Sequence, residues 1–168
     1  MTISCQNRLR VNSEPNSLTK VRAWYDNWCL AQRQRWPWID EHTDAIGLML
    51  SEGLTNAVRH AHAHLDRTTP VDIEIEVSAD RLELVIWDRG AGFEPDTLAP
   101  YEPEQIDLRN PATGGYGWFL MRKLSDVVTY RRYDNPVAKE ETRNCLRIIK
   151  YAGSPRAEIP PRATDPLK

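Results

Sequence analysis

The spacing of hydrophobic positions along the chain changes several times, and each change marks an element. Residues 2–11 alternate loosely between apolar and polar and run into Asn12-Ser-Glu-Pro15, which predicts a strand and a turn. Over residues 17–36, Leu18, Val21, Trp24, Trp28 and Ala31 recur at three- and four-residue steps, the period of a helix that Pro37 ends. Asp40 is suited to cap a second helix over residues 40–65, with Ile46, Met49, Leu50, Gly53, Leu54, Ala57, Val58 and Ala61 along one side. At about 100° per residue, Glu52, Asn56 and Arg59 cluster on the opposite side, with His60 beside them.

Residues 71–77 alternate strictly, Ser78-Ala79-Asp80 reverses the chain, and residues 81–87 alternate again. The pair predicts an antiparallel hairpin whose buried face carries Val71, Ile73, Ile75, Val77, Leu82, Leu84 and Ile86. Residues 93–113 have no period, and four prolines (Pro95, Pro100, Pro103 and Pro111) interrupt them. An irregular stretch of this length in a compact domain is expected to be a lid or binding loop, or else hides a misassigned element. A short amphipathic helix over residues 118–124 and two strands over residues 126–133 and 144–150 complete the order. Strand, helix, helix, hairpin, lid, helix and two strands describe an α+β domain: a two-layer sandwich of a mostly antiparallel sheet with helices on one face.

Composition narrows the function. The chain has 168 residues, enough for one domain, here residues 1–152, and the Pro-rich tail 153–168 is expected to lack fixed structure. With 22 Lys+Arg against 24 Asp+Glu, the net charge of −2 and the absence of a basic patch argue against nucleic acid as a partner. No apolar stretch approaches the ~20 residues of a membrane span, and residues 1–8 have no apolar leader, so a soluble cytoplasmic protein is expected. Cys5, Cys29 and Cys145 are widely spaced, with no Cys-x-x-Cys pair, and read as reduced structural thiols.

Three stretches offer chemistry. Glu52-x-x-x-Asn56 places a carboxylate and a carboxamide one helical turn apart. The amide oxygen suits Mg²⁺ and the carboxylate suits a base, although a polar helix face can also simply be solvated. Asp88-Arg-Gly90-Ala-Gly92 follows a strand, so its carboxylate can accept from the amino group of a base where glycines leave room, or it is an ordinary turn. Gly114-Gly115-Tyr116-Gly117 precedes a helix, whose N-terminal N–H groups suit phosphate. It is neither a P-loop nor a Rossmann fingerprint, since no Gly-Lys-Ser/Thr follows and the element order is wrong.

Taken together, and in this order, the three stretches resemble the N, G1 and G2 boxes of the Bergerat ATP-binding fold shared by gyrase, the MutL mismatch-repair proteins and histidine kinases. Thr55-Asn-Ala-Val-x-His60-Ala and Gly114-Gly-Tyr-Gly-Trp-Phe-Leu120 are most similar to the stand-alone anti-sigma-factor serine/threonine kinases, over roughly residues 2–150. The resemblance implies ATP and Mg²⁺ as cofactors, with Asn56 as metal ligand and Glu52 as the base acting on a serine hydroxyl. It implies that Asp88 binds the adenine amino group and that Gly90 and Gly92 shape the base pocket, with His60 as the N-box neighbour. It further implies that Gly114, Gly115 and Gly117 border the phosphates beside Tyr116, and that residues 93–113, from Phe93 onward, form an ATP lid. Arg109, the sole basic residue of that lid, is the candidate for the γ-phosphate.

In partners, the resemblance implies a sigma factor, a STAS-fold antagonist that is phosphorylated on serine, and a homodimer. The last strand departs from the family: Arg143-Asn144 stands where Gly-Thr is usual, so either Asn144 hydrogen-bonds in its place or Thr142 shifts into reach. That departure leaves room for an alternative, a nucleotide-gated binding module without transfer, and also for a regulator that kept the fold and changed partner. A zinc site at His60, His62 and His64 is rejected because their spacing puts His62 away from the other two on a helix. Trp24, Trp28 and Trp36 read as core or interface, and Cys29 as a buried thiol.

Overall fold

The computed structural model describes residues 3–94, 116–134 and 142–156. Strand β1 (Cys5–Asn12) leads into α1 (Ser17–Gln32) and α2 (Ile39–Thr55), which continues as a π-helical turn over Asn56–Ala61. Strands β2 (Pro70–Val77) and β3 (Arg81–Asp88) follow, then α3 (Tyr116–Leu124), β4 (Val127–Tyr133) and β5 (Arg143–Tyr151). The strands form one open sheet in the order β1-β2-β3-β5-β4, and every neighbouring pair is antiparallel. The expected α+β two-layer architecture is the one observed.

Alternation decides which face of the sheet meets the helices. Val71, Ile73, Ile75 and Val77 of β2 and Leu82, Leu84 and Ile86 of β3 are all buried, as the two-residue period predicts. Opposite them, Tyr25, Ile39, Ile46, Met49, Leu50 and Leu54 fill the helical layer, and α2 packs between α1 and α3 above β3 and β5. The outer face carries cross-strand ion pairs instead, Arg10 with Asp72 and Arg147 with Glu83. No helix among the described residues is long and apolar enough to cross a membrane.

Two helix boundaries differ from the sequence reading. The first helix ends at Gln32, four residues before Trp36. The N–H groups of Arg35 and Trp36 both donate to Gln32 O, so the last turn closes and Trp36 folds into the core ahead of Pro37. Asp40 is not the cap of the second helix; it lies in the first turn, after Trp38 at the N-cap position, where its charge complements the helix dipole. Trp28 and Trp36 are core residues and Trp24 packs against the core.

The second helix also fails to run regularly to residue 65. The His62 N–H donates to Ala57 O, five residues back, so the helix widens at Asn56. His62 itself is buried and joins three pieces of chain. Its Nε2 accepts the Arg89 N–H at 2.7 Å, so the network assigns the ring proton to Nδ1, which donates to Ser13 Oγ. The Ser13 hydroxyl passes its own proton to Thr69 O at 2.8 Å.

Burial, opposed by the Asp88 charge and helped by that of Arg89, lowers the His62 pKa below its ordinary 6.5. Burial, reinforced by Lys150, lowers His42 in the same sense. The unfolded chain therefore binds more protons than the folded one just below pH 6.5. Stability is complete above that pH and declines as pH falls through it toward the folded values. Denaturant titrations from about pH 8 to 5 should show this slope, at most about 1.4 kcal/mol per pH unit for each histidine. His62→Gln keeps an acceptor and a donor but cannot titrate, and it should remove the His62 share and leave that of His42.

Candidate functional site

The end of β3 delivers a carboxylate into the interior. Asp88 is 4% exposed and stands opposite Asn144 of β5 in the sheet register. Its Oδ1 accepts the Gly90 N–H at 2.8 Å and Asn144 Nδ2 at 2.7 Å, and its Oδ2 accepts the Tyr130 hydroxyl at 3.2 Å. Asn144 Nδ2 gives its second hydrogen to Gly90 O at 3.0 Å. A buried carboxylate remains charged only with such partners, because desolvation of an isolated one costs several kcal/mol. Of the two residues offered for the usual threonine, Asn144 is the one that reaches Asp88.

The glycines after Asp88 are set by space. A Cβ on Gly90 would lie 2.3 Å from Ala61 O, so this turn presses against the π-helical backbone and admits no side chain. Gly92 has φ +79°, in the left-handed region, and a Cβ there would also lie 2.9 Å from Asn144 Oδ1. The Arg132 guanidinium donates to Ala91 O and, at 2.8 Å, to Asp134 Oδ1, tying this turn to the end of β4.

Above Asp88 lies a cavity of about 360 Å³. Ile86, Leu146, Met121, Ala57 and Trp118 give it apolar walls, and Asp88 and Tyr130 supply polar atoms. Asn56 and His60 line it from the π-helical turn. Phe93 lies against Tyr130, ring centroids 4.3 Å apart, and meets Trp118 edge-on at 5.7 Å. An apolar slot with a few polar groups of this kind is the usual form of a small-molecule site.

Of the residues singled out from sequence, the structure brings Asn56, His60, Asp88, Gly92, Phe93 and Gly117 to this cavity. Gly90 and Asn144 stand behind Asp88. Glu52 is half-buried one helical turn before Asn56, facing α3: a Cβ on Gly117 would lie 2.7 Å from Glu52 Oε2 and 3.7 Å from Asn56 Nδ2. Tyr116 is exposed at the start of α3 and does not line the cavity. Arg109, Gly114, Gly115 and nearly all of the expected lid lie outside the described residues, as does most of the tail. Cys29 is buried, with its thiol pushed up to about 11 by burial, and no group of three metal-binding side chains occurs among the described residues.

Tyr130, Trp118 and Met121 line the cavity without having been singled out. Alternation along β4 was the available signal for Tyr130, since Val128 and Tyr130 share the face that packs toward the core.

Two glycine substitutions should separate. Gly90→Ala drives a methyl into the backbone of residue 61 and should cost about 2–3 kcal/mol in denaturant unfolding. Gly117→Ala crowds the far end of the Glu52 side chain, with Asn56 Nδ2 at ordinary contact distance, and gains helix propensity, so stability should change by no more than about 1 kcal/mol.

Comparison with known proteins agrees with this geometry. The histidine kinase-like ATPase domain family matches residues 11–150. The serine-protein kinase RsbW of Staphylococcus aureus is 33% identical over 111 residues, covering 58% of this chain and 67% of the relative. RsbW of S. aureus strain MRSA252 is 32% identical over 109 residues, with coverage of 58% and 67%. A chain with this sheet order, this buried carboxylate and these relatives belongs to the histidine kinase-like ATPase domain family and, within it, to the anti-sigma-factor serine/threonine kinases.

Proposed function

We propose that the protein is an ATP-dependent protein-serine/threonine kinase that sequesters a sigma factor and phosphorylates a serine on a STAS-type antagonist. The observation that carries this reading is the placement of Asp88 in an apolar slot with Asn56 on its wall and Glu52 one turn away. An adenine ring fits a slot walled by Ile86, Leu146 and Met121, with its amino group on Asp88. Phosphates would then run toward Asn56 and the N-terminus of α3, whose first turn has no acid to repel them.

A magnesium ion fits Asn56 as one carried in by the nucleotide. Among the described residues, the cavity offers one side-chain amide oxygen beside room for phosphate and water oxygens, and no cluster of carboxylates to hold a metal alone. When bound, the ion neutralises charge on the transferring phosphate. The chain's own residues do the rest. Glu52 takes the proton of the attacking serine hydroxyl, and Gly117 leaves that carboxylate room beside α3. Gly114, Gly115 and Tyr116 border the phosphates, His60 flanks the nucleotide from the helix, and Arg109 of the lid meets the γ-phosphate. Residues 1–152 form the catalytic unit, acting in the cytoplasm as a homodimer.

Loss of the usual Gly-Thr does not by itself favour a module without transfer, because Asn144 supplies a hydrogen bond to Asp88. Transfer decides between the two. With γ-labelled ATP, Mg²⁺ and STAS-domain proteins of the source organism as acceptors, wild type should label one of them on serine. Glu52→Ala should bind ATP normally yet lose transfer by at least about 100-fold. Asn56→Ala should lose Mg²⁺-dependent binding as well. Binding by wild type with no transfer to any acceptor would instead identify a nucleotide-gated module.

A further inference from the structure

The polar end of the cavity holds one oxygen that these roles leave unused. Tyr130 lies on β4 opposite Leu146, lines the cavity, and donates its hydroxyl proton to Asp88 Oδ2 at 3.2 Å. A carboxylate has no proton to give, so the direction of this bond is fixed, and the phenolic oxygen keeps its lone pairs for the cavity. Burial and the adjacent Asp88 charge raise the Tyr130 pKa, so the hydroxyl stays protonated. Contacts with Phe93 hold the ring in place.

Asp88 presents a matching lone pair. Its Oδ1 already accepts from both Gly90 and Asn144, whereas Oδ2 accepts only from Tyr130 among the described residues. The polar end therefore shows two acceptor oxygens 3.2 Å apart. The nearest amide cannot supply a donor, because both hydrogens of Asn144 Nδ2 are committed, one to Asp88 Oδ1 and one to Gly90 O.

We propose that Tyr130 is a specificity-determining residue: its hydroxyl oxygen and Asp88 Oδ2 form a paired acceptor for the exocyclic amino group of a purine. The inference rests on the nucleotide-binding reading above and deepens it. An amino nitrogen can place one hydrogen on each oxygen. A purine with an oxo group at the same position would set an acceptor against two acceptors, leaving a buried polar atom unsatisfied.

The test is calorimetric titration of ATP, inosine triphosphate and purine riboside triphosphate into wild type and Tyr130→Phe, with unliganded melting as a check on folding. Wild type should bind ATP best and inosine triphosphate worst. Loss of one neutral hydrogen bond should weaken ATP roughly tenfold in Tyr130→Phe, while purine riboside triphosphate, which has no amino group, changes by less than about twofold. Tyr130→Leu should show the same amino-dependent difference on top of any loss of packing. A variant that weakens both ligands equally acts through packing and overturns the proposal, as does one that changes neither. Failure of wild type to bind any of the three would overturn the nucleotide reading itself, a distinct result.

Discussion

The Asp88 carboxylate is held almost out of solvent at the end of β3. Three groups donate to it there: the Gly90 N–H, Asn144 Nδ2 and the Tyr130 hydroxyl. Those three donors come from the following turn, from β5 and from β4, so one buried charge ties together strands that sequence separation keeps far apart. Removing any donor leaves an underpaired buried charge, which is costly enough to make the arrangement self-enforcing. The cavity forms above this anchor because the apolar residues of β3 and β5 flank it and the helices roof it.

The helical side of the cavity depends on the same turn. Gly90 lies against the Ala61 backbone, and the Arg89 N–H is received by His62. Both contacts fall at the end of the π-helical turn, where the His62 N–H donates to Ala57 O. Asn56 and His60 then both line the cavity, while Arg59, predicted to share the Asn56 face, is exposed. The helix irregularity at the site thus sits against two contacts, one steric and one hydrogen-bonded.

Much of this was legible in sequence. The alternation of β2 and β3 predicts their buried face residue by residue, because a two-residue period has only two solutions. The Glu52-x-x-x-Asn56, Asp88-x-Gly-x-Gly and Gly-rich stretches predict which segments converge. The π-helical turn was not legible, since the residues packed against it, Gly90 and Arg89, lie some thirty residues downstream. Nor was the role of His62, whose polar ring interrupts a helical pattern without showing that Ser13 and Arg89 lie on either side. Tyr130 was hidden for a related reason: its partner Asp88 is brought near by the crossover that puts β5 between β3 and β4.

The account stands or falls on whether this carboxylate organises a nucleotide site. Asp88→Asn is nearly isosteric and removes the charge while adding an N–H₂ that faces donors. Calorimetric titration of ATP with Mg²⁺ into wild type and Asp88→Asn, with circular dichroism to confirm the fold, tests it directly. The account predicts saturable binding to wild type and loss of at least about 100-fold in affinity for the variant, the cost of an unpaired buried polar group together with a lost charged hydrogen bond. Equal binding by a folded Asp88→Asn protein, or no binding by wild type, would contradict it.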